Sequence, residues 1–562
     1  MPVQSHQNGA PITPQTAGSS RRETEALLAR IRDSVIGERM AFATPFGQRP
    51  LVYADYTASG RGLTFIEDAI RNQVLPWYAN THTETSATGR QTTAFREQAR
   101  AAIRRSVNAG DEHAVIFCGA GATAAINRLL ESLGLRKDCY ERFGVSAADI
   151  PERQRPVVFI GPFEHHSNDL PWRESIAEVV TIPQKENGGV DLEALEQALV
   201  RYRERPLRIG SFSAASNVTG IRTDVDAVTR LLHRYDALSF WDYAAAAPYV
   251  AIDAQGSEPA ASKDAIFISP HKFVGGPGTP GLLIVRRSLL PQNQPAVPGG
   301  GTVSWVGPDR HTYLPAGERR EEAGTPAIVE SVRAGMVFAL KDSVGADNIE
   351  AREDAWLKRA FARWADNPNI DILGGVEPQR VSIVSLHILR EGKPLHYGYV
   401  VALLNDLFGI QVRGGCSCAG PYGHKLLHLT DAQSSALEQL VSAGESILKP
   451  GWVRLNFNYF LDEETVDYLI GAIELVAEFG YRMLPFYQYD PEHGVWRFQG
   501  QPGEPVLPLS FTAQESGAPE TLTGSLADYL AEARALLENP PGERCAQPIL
   551  SPEGENLRWF NL

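Results

Sequence analysis

Seven short apolar runs recur through the middle of the chain, from about residue 110 to about residue 290. Longer segments separate them, with apolar residues at helical spacing and polar residues at their starts. Because each run is apolar at consecutive positions, both of its faces should be covered, as in a parallel sheet between helices. This pattern predicts a doubly wound α/β fold. The runs lie within HAVIFC, RPVVFIG, AEVVTIP, LRIGSFSA, ALSFWD, DAIFIS and GLLIVRR.

The residues that follow these runs are the candidates for a ligand site, because ligands of open α/β sheets bind at the carboxyl ends of the strands. A glycine loop, GAGATAAIN, follows the first run and opens a helix whose N-terminus suits a phosphate. His165, Asn217, Asp242 and Lys272 each follow a later run. Taken alone, Lys272 is equally well a surface lysine in a turn, and Asp242 an ordinary loop carboxylate or helix cap.

The joint pattern favours pyridoxal phosphate (PLP). This cofactor needs a helix N-terminus for its phosphate, a carboxylate for its ring nitrogen and a lysine amine for its aldehyde. A lysine shielded from water loses its proton more readily and can serve as that amine. We therefore expect the residues at these strand ends to form one PLP site.

Composition narrows the classes of partner. The chain has 562 residues, 43% hydrophobic and 21% charged, which leaves room for two or three domains. A net charge of −14 without a dense basic block argues against a nucleic-acid partner. We expect no membrane partner, since no apolar stretch approaches about 20 residues. The start of the chain lacks the apolar core of a signal peptide, which predicts a cytoplasmic protein. Five cysteines in so long a chain predict free thiols.

Six longer motifs connect the chain to a known family. They are EHHSNDLPW (164–172), SAASNVTGIR (213–222), SPHKFVGGPGTPGLLIV (269–285), EEAGTPAI (321–328), VRGGCSCAGP (412–421) and WVRLNFNYF (452–460). Through these motifs, residues from about 50 to 480 resemble the class V aminotransferases, PLP-dependent enzymes of fold type I. The similarity is greatest to the cysteine desulfurase and selenocysteine lyase branch. It implies a large domain with a mostly parallel seven-stranded sheet and a smaller α+β C-terminal domain.

The resemblance also assigns the cofactor site. It implies that Lys272 holds PLP as a Schiff base, that Asp242 pairs with the ring nitrogen and that His165 stacks on the ring as a catalytic group. Asn217 would lie near the cofactor hydroxyl and the substrate carboxylate. The residues expected to bind the phosphate are Ala122, Thr123, Ser269 and His271.

The substrate and subunit contacts follow from the same resemblance. Arg454 would bind the carboxylate of a small amino acid through its guanidinium fork, with help from Arg413. Thr325 would reach the phosphate of a neighbouring subunit, which implies a homodimer with active sites at the subunit interface. Arg413 is also compatible with a structural ion pair, and His166 with simple packing.

The motif RGGCSCAGPYGH implies the reaction. Desulfurases of this branch carry a cysteine five residues after the arginine, and that position is Cys418. Its thiolate would take the sulfur of L-cysteine or a similar amino acid as a persulfide, leave alanine and pass the sulfur to an acceptor protein. A glycine-rich loop beside Arg413 and His424 would favour the thiolate. Cys416 remains open as a resolving thiol, a second acceptor or a bystander.

Other functions also remain open. The family usually has a glutamine three residues after the pyridine aspartate, and this chain has Ala245. The change leaves desulfuration, elimination and transamination as alternatives, so a PLP-dependent C–S lyase or aminotransferase is a second hypothesis. A non-catalytic scaffold or thiol metal binder is a third. We predict no metal, since Cys416, Cys418 and His424 lack a fourth ligand.

Four segments are expected along the chain. Residues 1–48 would form an arm, disordered at first and then helical from Glu23 to Arg39. Residues 49–330 would form the PLP-binding domain, and residues 331–484 the small domain with the cysteine loop and the carboxylate-binding arginine. Residues 485–562 would form an extension with a strand, a turn, a strand and an amphipathic helix. That extension could cover the mouth of the site, cover an apolar face or recruit a sulfur acceptor.

Overall fold

A computed structural model describes residues 21–562, apart from residues 82, 143, 145, 187 and 500–519. The predicted disordered stretch, residues 1–20, lies outside the described residues. The strands are β1 (Ala41–Thr44), β2 (Gly47–Pro50), β3 (Val52–Tyr53), β4 (His113–Cys118), β5 (Val157–Ile160), β6 (Glu178–Thr181), β7 (Arg208–Ser213), β8 (Leu238–Asp242), β9 (Ala265–Ile268), β10 (Gly281–Arg286), β11 (Val303–Val306), β12 (His311–Tyr313), β13 (Ile370–Ile372), β14 (Ile383–Arg390), β15 (Lys393–Pro394), β16 (Ile410–Gln411), β17 (Arg413–Gly415), β18 (Trp452–Asn456), β19 (Tyr487–Asp490) and β20 (Val495–Phe498).

The α-helices are α1 (Arg21–Asp33), α2 (Thr64–Ala69), α3 (Ala87–Ser106), α4 (Gly121–Ser132), α5 (Lys137–Glu141), α6 (Leu170–Arg173), α7 (Leu192–Arg201), α8 (Val225–Arg234), α9 (Glu318–Glu321), α10 (Ile328–Val344), α11 (Ala346–Trp364), α12 (Tyr397–Phe408), α13 (Gly420–Leu426), α14 (Asp431–Ser442), α15 (Glu463–Phe479), α16 (Leu526–Glu538) and α17 (Pro552–Leu557). Among them, none combines the length and the apolar character needed to cross a membrane.

The large sheet contains seven of the described strands, in the order β4–β10–β9–β8–β7–β5–β6. β10 runs antiparallel to both of its neighbours, whereas the pairs from β9 through to β6 are parallel. Alternate residues of one strand enter different apolar clusters: Val115 and Phe117 pack in one, Ala114 and Ile116 in the other. Both faces of the sheet are therefore covered, and the predicted mostly parallel seven-stranded α/β fold is confirmed.

A second sheet follows in the C-terminal part of the chain. It has the order β13–β14–β18–β17, with β15 paired to β14, and each of these pairs is antiparallel. In this sheet Arg413 on β17 lies opposite Arg454 on β18. β16 pairs in parallel with β3, which connects this region to the chain just before Asp55. The sheet thus carries both arginines to the edge of the large domain. The expected domain boundaries remain predictions.

The first helix is shorter than the sequence pattern predicts. α1 ends at Asp33, whereas the apolar spacing predicts a helix as far as Arg39. Gly37 and Arg39 both have left-handed backbones, with φ of 80° and 52°. A right-handed helix excludes such φ values, so the chain turns away before this point.

The C-terminal extension packs on the small domain. β19 and β20 form an antiparallel hairpin next to α12, and α16 packs on α15. The ring of Tyr399 on α12 lies 5.3 Å from that of Tyr487 and 5.7 Å from that of Trp496. Phe560 is fully buried, with its ring 4.8 Å from that of His396. The described part of the extension therefore covers an apolar face.

Candidate active site

A cavity of about 400 Å³ lies at the carboxyl ends of the large-sheet strands, where the second sheet meets them. Its volume falls within the usual range for small-molecule sites. The predicted site residues that line it are Ala122, Thr123, His165, Asn217, Asp242, Ser269, His271, Lys272, Arg413, Cys418 and Arg454. The fold thus brings together residues that lie more than 300 positions apart in the sequence.

Asp242 and Lys272 lie at or just after the carboxyl ends of two neighbouring strands, β8 and β9. Asp242 is the last residue of β8, and Lys272 ends a single helical turn, Pro270–Lys272, just after the neighbouring strand β9. Burial lowers the pKa of Lys272 to about 8, although the Asp242 carboxylate acts in the opposite direction. Burial raises the pKa of Asp242, while the N–H of Ala244, 2.8 Å from Oδ1, and the charge of Lys272 favour its ionised form. The pair thus supplies an amine that is readily deprotonated and a buried carboxylate.

The first turn of α4 forms one end of the cavity. Gly121 begins the helix with φ of +56°, and an added Cβ would lie 2.9 Å from Ser269 Oγ. Ser269 Oγ accepts the N–H of Ala122 at 2.9 Å, and Thr123 Oγ1 is 2.6 Å from Ser167 Oγ. Ala120, before the helix, provides no side-chain cap. A helix N-terminus with these hydroxyl groups suits a phosphate.

His165 presents a neutral aromatic ring to the cavity. Burial lowers its pKa to about 3, with further lowering by Lys272 and His166. Its Nδ1 accepts the N–H of Ser167 at 3.0 Å, so the proton of the neutral ring lies on Nε2. An uncharged, fixed imidazole is suited to stacking on an aromatic cofactor ring.

Arg413 and Arg454 share one carboxylate, that of Asp55. Arg454 Nη2 lies 3.0 Å from Asp55 Oδ1, and Arg413 Nε lies 3.2 Å from Asp55 Oδ2. Arg454 Nη1 donates to the carbonyl oxygen of Asn217 at 3.0 Å. Within the described part of the chain, the buried Nε of Arg454 has no hydrogen-bond partner. The guanidinium group is therefore held from two sides, while its Nε–H is unpaired among the described residues.

The cysteine loop connects β17 to α13. Ser417 and Cys418 are both left-handed, with φ of 53° and 57°. Such a backbone costs roughly 1–2 kcal/mol for each residue other than glycine, so other contacts must hold the loop. Asn217 Nδ2 donates to the carbonyl oxygen of Ser417 at 2.6 Å, and the N–H of His166 donates to that of Cys418 at 2.8 Å.

His166 makes a second bond to the loop, because its Nε2 accepts the N–H of Gly420 at 3.0 Å. Its role therefore goes beyond simple packing. Cys418 is exposed and also lines the cavity. Cys418 can thus be reached both from the cavity and from solvent.

The remaining candidates lie elsewhere. Thr325 does not line the cavity, and its Oγ1 accepts a hydrogen bond from Asn80 Nδ2 at 3.2 Å. Cys416 is half-buried against the apolar core, and His424 Nδ1 lies 3.2 Å from Ser434 Oγ on α14. The described residues contain no group of three His, Cys, Asp or Glu residues placed to hold a metal ion.

Two buried carboxylates that contact residues lining the cavity, Asp55 and Glu164, were not predicted from the sequence. Asp55 follows the short apolar run LVYA, which precedes the seven runs of the large sheet, and its place after an apolar run is the signal that points to it. Glu164, next to His165, accepts hydrogen bonds from Asn168 Nδ2 and Ser213 Oγ, each at 2.6 Å. Burial raises the pKa of Glu164 to about 7, and the charge of Asp242 adds to that rise. Glu164 follows the apolar run RPVVFIG just as His165 does, and that position is the signal that points to it.

Comparison with known proteins decides the family. The sequence profile of the family "Aminotransferase class-V" matches residues 52–469. The chain belongs to the class-V aminotransferase family. This confirms the resemblance drawn from the six motifs.

Individual members of the class-V family give a consistent result. A cysteine desulfurase of Salmonella newport is 30% identical over 376 residues, which cover 66% of this chain and 85% of that protein. A probable cysteine desulfurase of Streptomyces coelicolor is 28% identical over 375 residues, covering 66% of this chain and 84% of that protein.

Solved structures share the fold. The apo structure of cysteine desulfurase from Thermococcus onnurineus NA1 has a TM-score of 0.62 at 22% identity, covering 76% of this chain and 95% of that one. A cysteine desulfurase from Escherichia coli has a TM-score of 0.59 at 22% identity, covering 80% and 98%. The predicted fold type is therefore confirmed.

Proposed function

We propose that this class-V protein is a PLP-dependent cysteine desulfurase that transfers sulfur from L-cysteine to Cys418 and releases alanine. One observation carries the proposal: Cys418 lines the same cavity as Lys272 and Asp242. The names of the relatives agree with it.

The residues of the cavity fit PLP. The uncapped start of α4 suits the phosphate, Asp242 suits a protonated ring nitrogen, and Lys272 supplies an amine with a lowered pKa. The neutral ring of His165 suits stacking. When bound, PLP stabilises the negative charge that develops on the α-carbon of an amino acid.

The substrate would be held and processed by groups of this chain. Arg454 binds the α-carboxylate through donors that Asp55 and Asn217 leave free, and Lys272 Nζ accepts the α-proton. Cys418 Sγ then forms a bond to the substrate sulfur. The C–S bond breaks, its electron pair stays on the substrate, and protonation of that carbon gives the methyl group of alanine.

A second function is favoured by Ala245. This small side chain lines the cavity where the family usually places an amide. Loss of that amide changes the hydrogen bonding around the cofactor. A C–S lyase or aminotransferase, with Cys418 outside the reaction, is the alternative that this residue supports.

Product analysis separates the two functions. We expect protein loaded with PLP to convert L-cysteine to alanine and persulfide sulfur. Cys418→Ala should abolish sulfur transfer and keep the visible absorbance of bound PLP, whereas Cys416→Ala, the matched control, should retain transfer. Pyruvate or another keto acid as the main product would support the alternative, and so would unchanged sulfur release by Cys418→Ala.

A homodimer completes the proposal. Trp77 and Tyr78 are about half exposed, and Trp305 and Val306 on β11 are 63% and 65% exposed. Contiguous exposed apolar residues mark interaction surfaces, and Trp77 adjoins Tyr78 in the chain as Trp305 adjoins Val306. Thr325 accepts a hydrogen bond from Asn80, and Asn80 closely follows Trp77 and Tyr78 in the sequence. A second subunit on this face would cover the apolar residues and receive Thr325 at its own cofactor phosphate.

The sulfur would leave through an acceptor protein. Cys418 is exposed, so an acceptor thiol can reach its sulfur.

We place the protein in the cytoplasm, since the four described cysteine thiols are free, as a reducing compartment keeps them.

A further inference from the structure

A second buried carboxylate lies one strand away from Asp242. Glu164 is 5% exposed, and its carboxylate accepts both the N–H of Ser213 at 2.9 Å and the Ser213 hydroxyl at 2.6 Å. Ser213 is the last residue of β7 and pairs directly with Asp242, the last residue of β8. Ser213 and Asp242 both line the cavity. A single residue, Ser213, therefore separates the two carboxylates.

The hydrogen bonds of Glu164 favour its ionised form. Oε1 accepts two backbone N–H groups, that of Gly161 at 3.2 Å and that of Ser213 at 2.9 Å. Oε2 accepts the Ser213 hydroxyl and Asn168 Nδ2, each at 2.6 Å. Each oxygen thus faces two donors, and a proton on either oxygen would displace one of them.

The orientation of Asn168 is fixed by a group that can only donate. Trp172 Nε1 donates to Asn168 Oδ1 at 3.2 Å, and Ser211 Oγ donates to the same oxygen at 2.6 Å. An indole N–H has no acceptor capacity, so the amide oxygen of Asn168 faces Trp172 and its NH2 group faces Glu164. The donor at Glu164 Oε2 is therefore set by the surrounding network.

No contacting cation cancels the charge of Glu164. Within the described part of the chain, its four hydrogen-bond partners are two backbone N–H groups, an amide and a hydroxyl, all of them neutral. The neighbouring His165 ring is also uncharged at neutral pH, because burial lowers its pKa to about 3. Burial raises the pKa of Glu164 to about 7, so the carboxylate is mostly charged above that pH. Its field then acts on Asp242, on which Lys272 acts as the nearby cation.

We propose that Glu164 is a positioning residue that keeps the cofactor ring nitrogen protonated by placing a second negative charge behind Asp242. This inference rests on the proposed function, since it assumes that Asp242 pairs with that nitrogen. Two carboxylates so close together repel each other, and a positive charge at Asp242 relieves the repulsion. A protonated ring draws electrons more strongly, which favours loss of the α-proton from a bound amino acid.

A purely structural role for Glu164 leads to a different expectation. Its carboxylate also connects the end of β5 to the end of β7, so its loss would loosen the segment that carries His165. Such loosening would lower the melting temperature or the affinity for PLP. It would leave the pH at which the ring nitrogen loses its proton unchanged, because Asp242 remains in place. That pH therefore separates the two roles.

The test follows the ring nitrogen itself. Wild type and variants are loaded with PLP that carries nitrogen-15 in its ring, and the magnetic resonance shift of that nitrogen is recorded above about pH 7, where Glu164 is ionised. Glu164→Gln, which keeps the shape of the side chain, should lose the ring proton at a pH at least one unit below that of the wild type. Glu164→Met should shift it in the same direction, which guards against a rearrangement caused by the new amide.

Asp264 provides the matched control. It is a buried carboxylate that accepts the N–H of Ser239 on β8 at 2.8 Å and contacts His233 at 2.8 Å, away from the cavity. Asp264→Asn should leave the pH of ring deprotonation unchanged. An unchanged pH in both Glu164 variants, or loss of PLP from both, would assign Glu164 a structural role and overturn this inference alone. Failure of the wild type to bind PLP would instead overturn the proposed function.

Discussion

Lys272 shows how burial changes the chemistry of one side chain. In water a lysine is almost fully protonated at neutral pH, and only the unprotonated amine attacks an aldehyde. Burial in the cavity lowers the pKa of Lys272 to about 8, despite the opposing effect of Asp242. About a tenth of the Lys272 side chains are thus free amines at pH 7, far more than for a lysine in water.

Attachment of PLP should follow this ionisation. We expect its rate, measured by visible absorbance, to rise with pH up to about 8 and then to level off, because the free amine is the reactive form. Lys272→Arg should bind no PLP covalently. Lys341, a second buried lysine with a pKa lowered to about 8, lies outside the cavity. Lys341→Met should therefore attach PLP normally. Covalent attachment in Lys272→Arg would show that another amine reacts.

At the scale of elements, the cysteine loop depends on the large domain for its shape. The left-handed backbones of Ser417 and Cys418 make this loop conformation unfavourable by itself. His166 and Asn217 stabilise it through three hydrogen bonds. His166 contributes both a backbone donor and a ring acceptor. The position of Cys418 at the cavity is thus set from outside its own loop.

Replacing His166 tests this dependence. His166→Phe keeps a ring of similar size and removes the acceptor of the Gly420 N–H. A lost hydrogen bond of about 1 kcal/mol predicts roughly fivefold faster amide exchange at Gly420, with slower persulfide formation on Cys418. His424→Phe, an exposed position on α13, is the control and should change neither. An unchanged amide exchange rate at Gly420 in His166→Phe would contradict the proposal that His166 stabilises the cysteine loop.

The sequence predicted the parts of the fold and site that depend on local patterns. The strands of the large sheet are apolar on both faces, Asp242 is the last residue of one of them, and Lys272 lies in the helical turn just after the next. The contact of His166 with the cysteine loop joins residues about 250 positions apart and leaves no local pattern. Asp55 likewise meets its arginines through long-range backbone pairing, that of β3 with β16 and that of Ala54 with Asn456 on β18.

At the scale of the whole molecule, two apolar surfaces differ in their burial. The C-terminal extension packs on the small domain, whereas the surface that carries Trp305 and Val306 is exposed. The extension buries its own apolar residues, such as Tyr487 and Phe560, against the small domain. Trp305 remains exposed on β11. The first surface should therefore contribute to stability, and the second to assembly.

Phe560→Ala should destabilise the protein. Removing a fully buried phenylalanine side chain costs about 3–5 kcal/mol, and this ring packs against His396. The melting temperature should fall clearly. Ile549→Ala, at a residue 97% exposed, is the matched control and should leave it unchanged. Equal melting temperatures for the two variants would mean that the extension adds no stability.

Trp305→Asp should weaken the proposed dimer, because it places a charge on the exposed apolar face. Sedimentation over a range of concentrations should show a dimeric wild type and a variant shifted toward monomer. Val200→Asp, at an exposed position of α7, should remain dimeric. A wild type that is monomeric throughout would rule out the dimer. A Trp305→Asp dimer of unchanged strength would place the interface elsewhere.

The most direct test of the central claim is to locate the transferred sulfur. PLP-loaded protein is mixed with a limiting amount of L-cysteine, alkylated at once and digested for mass spectrometry. The account predicts one extra sulfur atom on the peptide that contains Cys418, with an equal amount of alanine released. Turnover of the cysteine with no added sulfur on that peptide would contradict it.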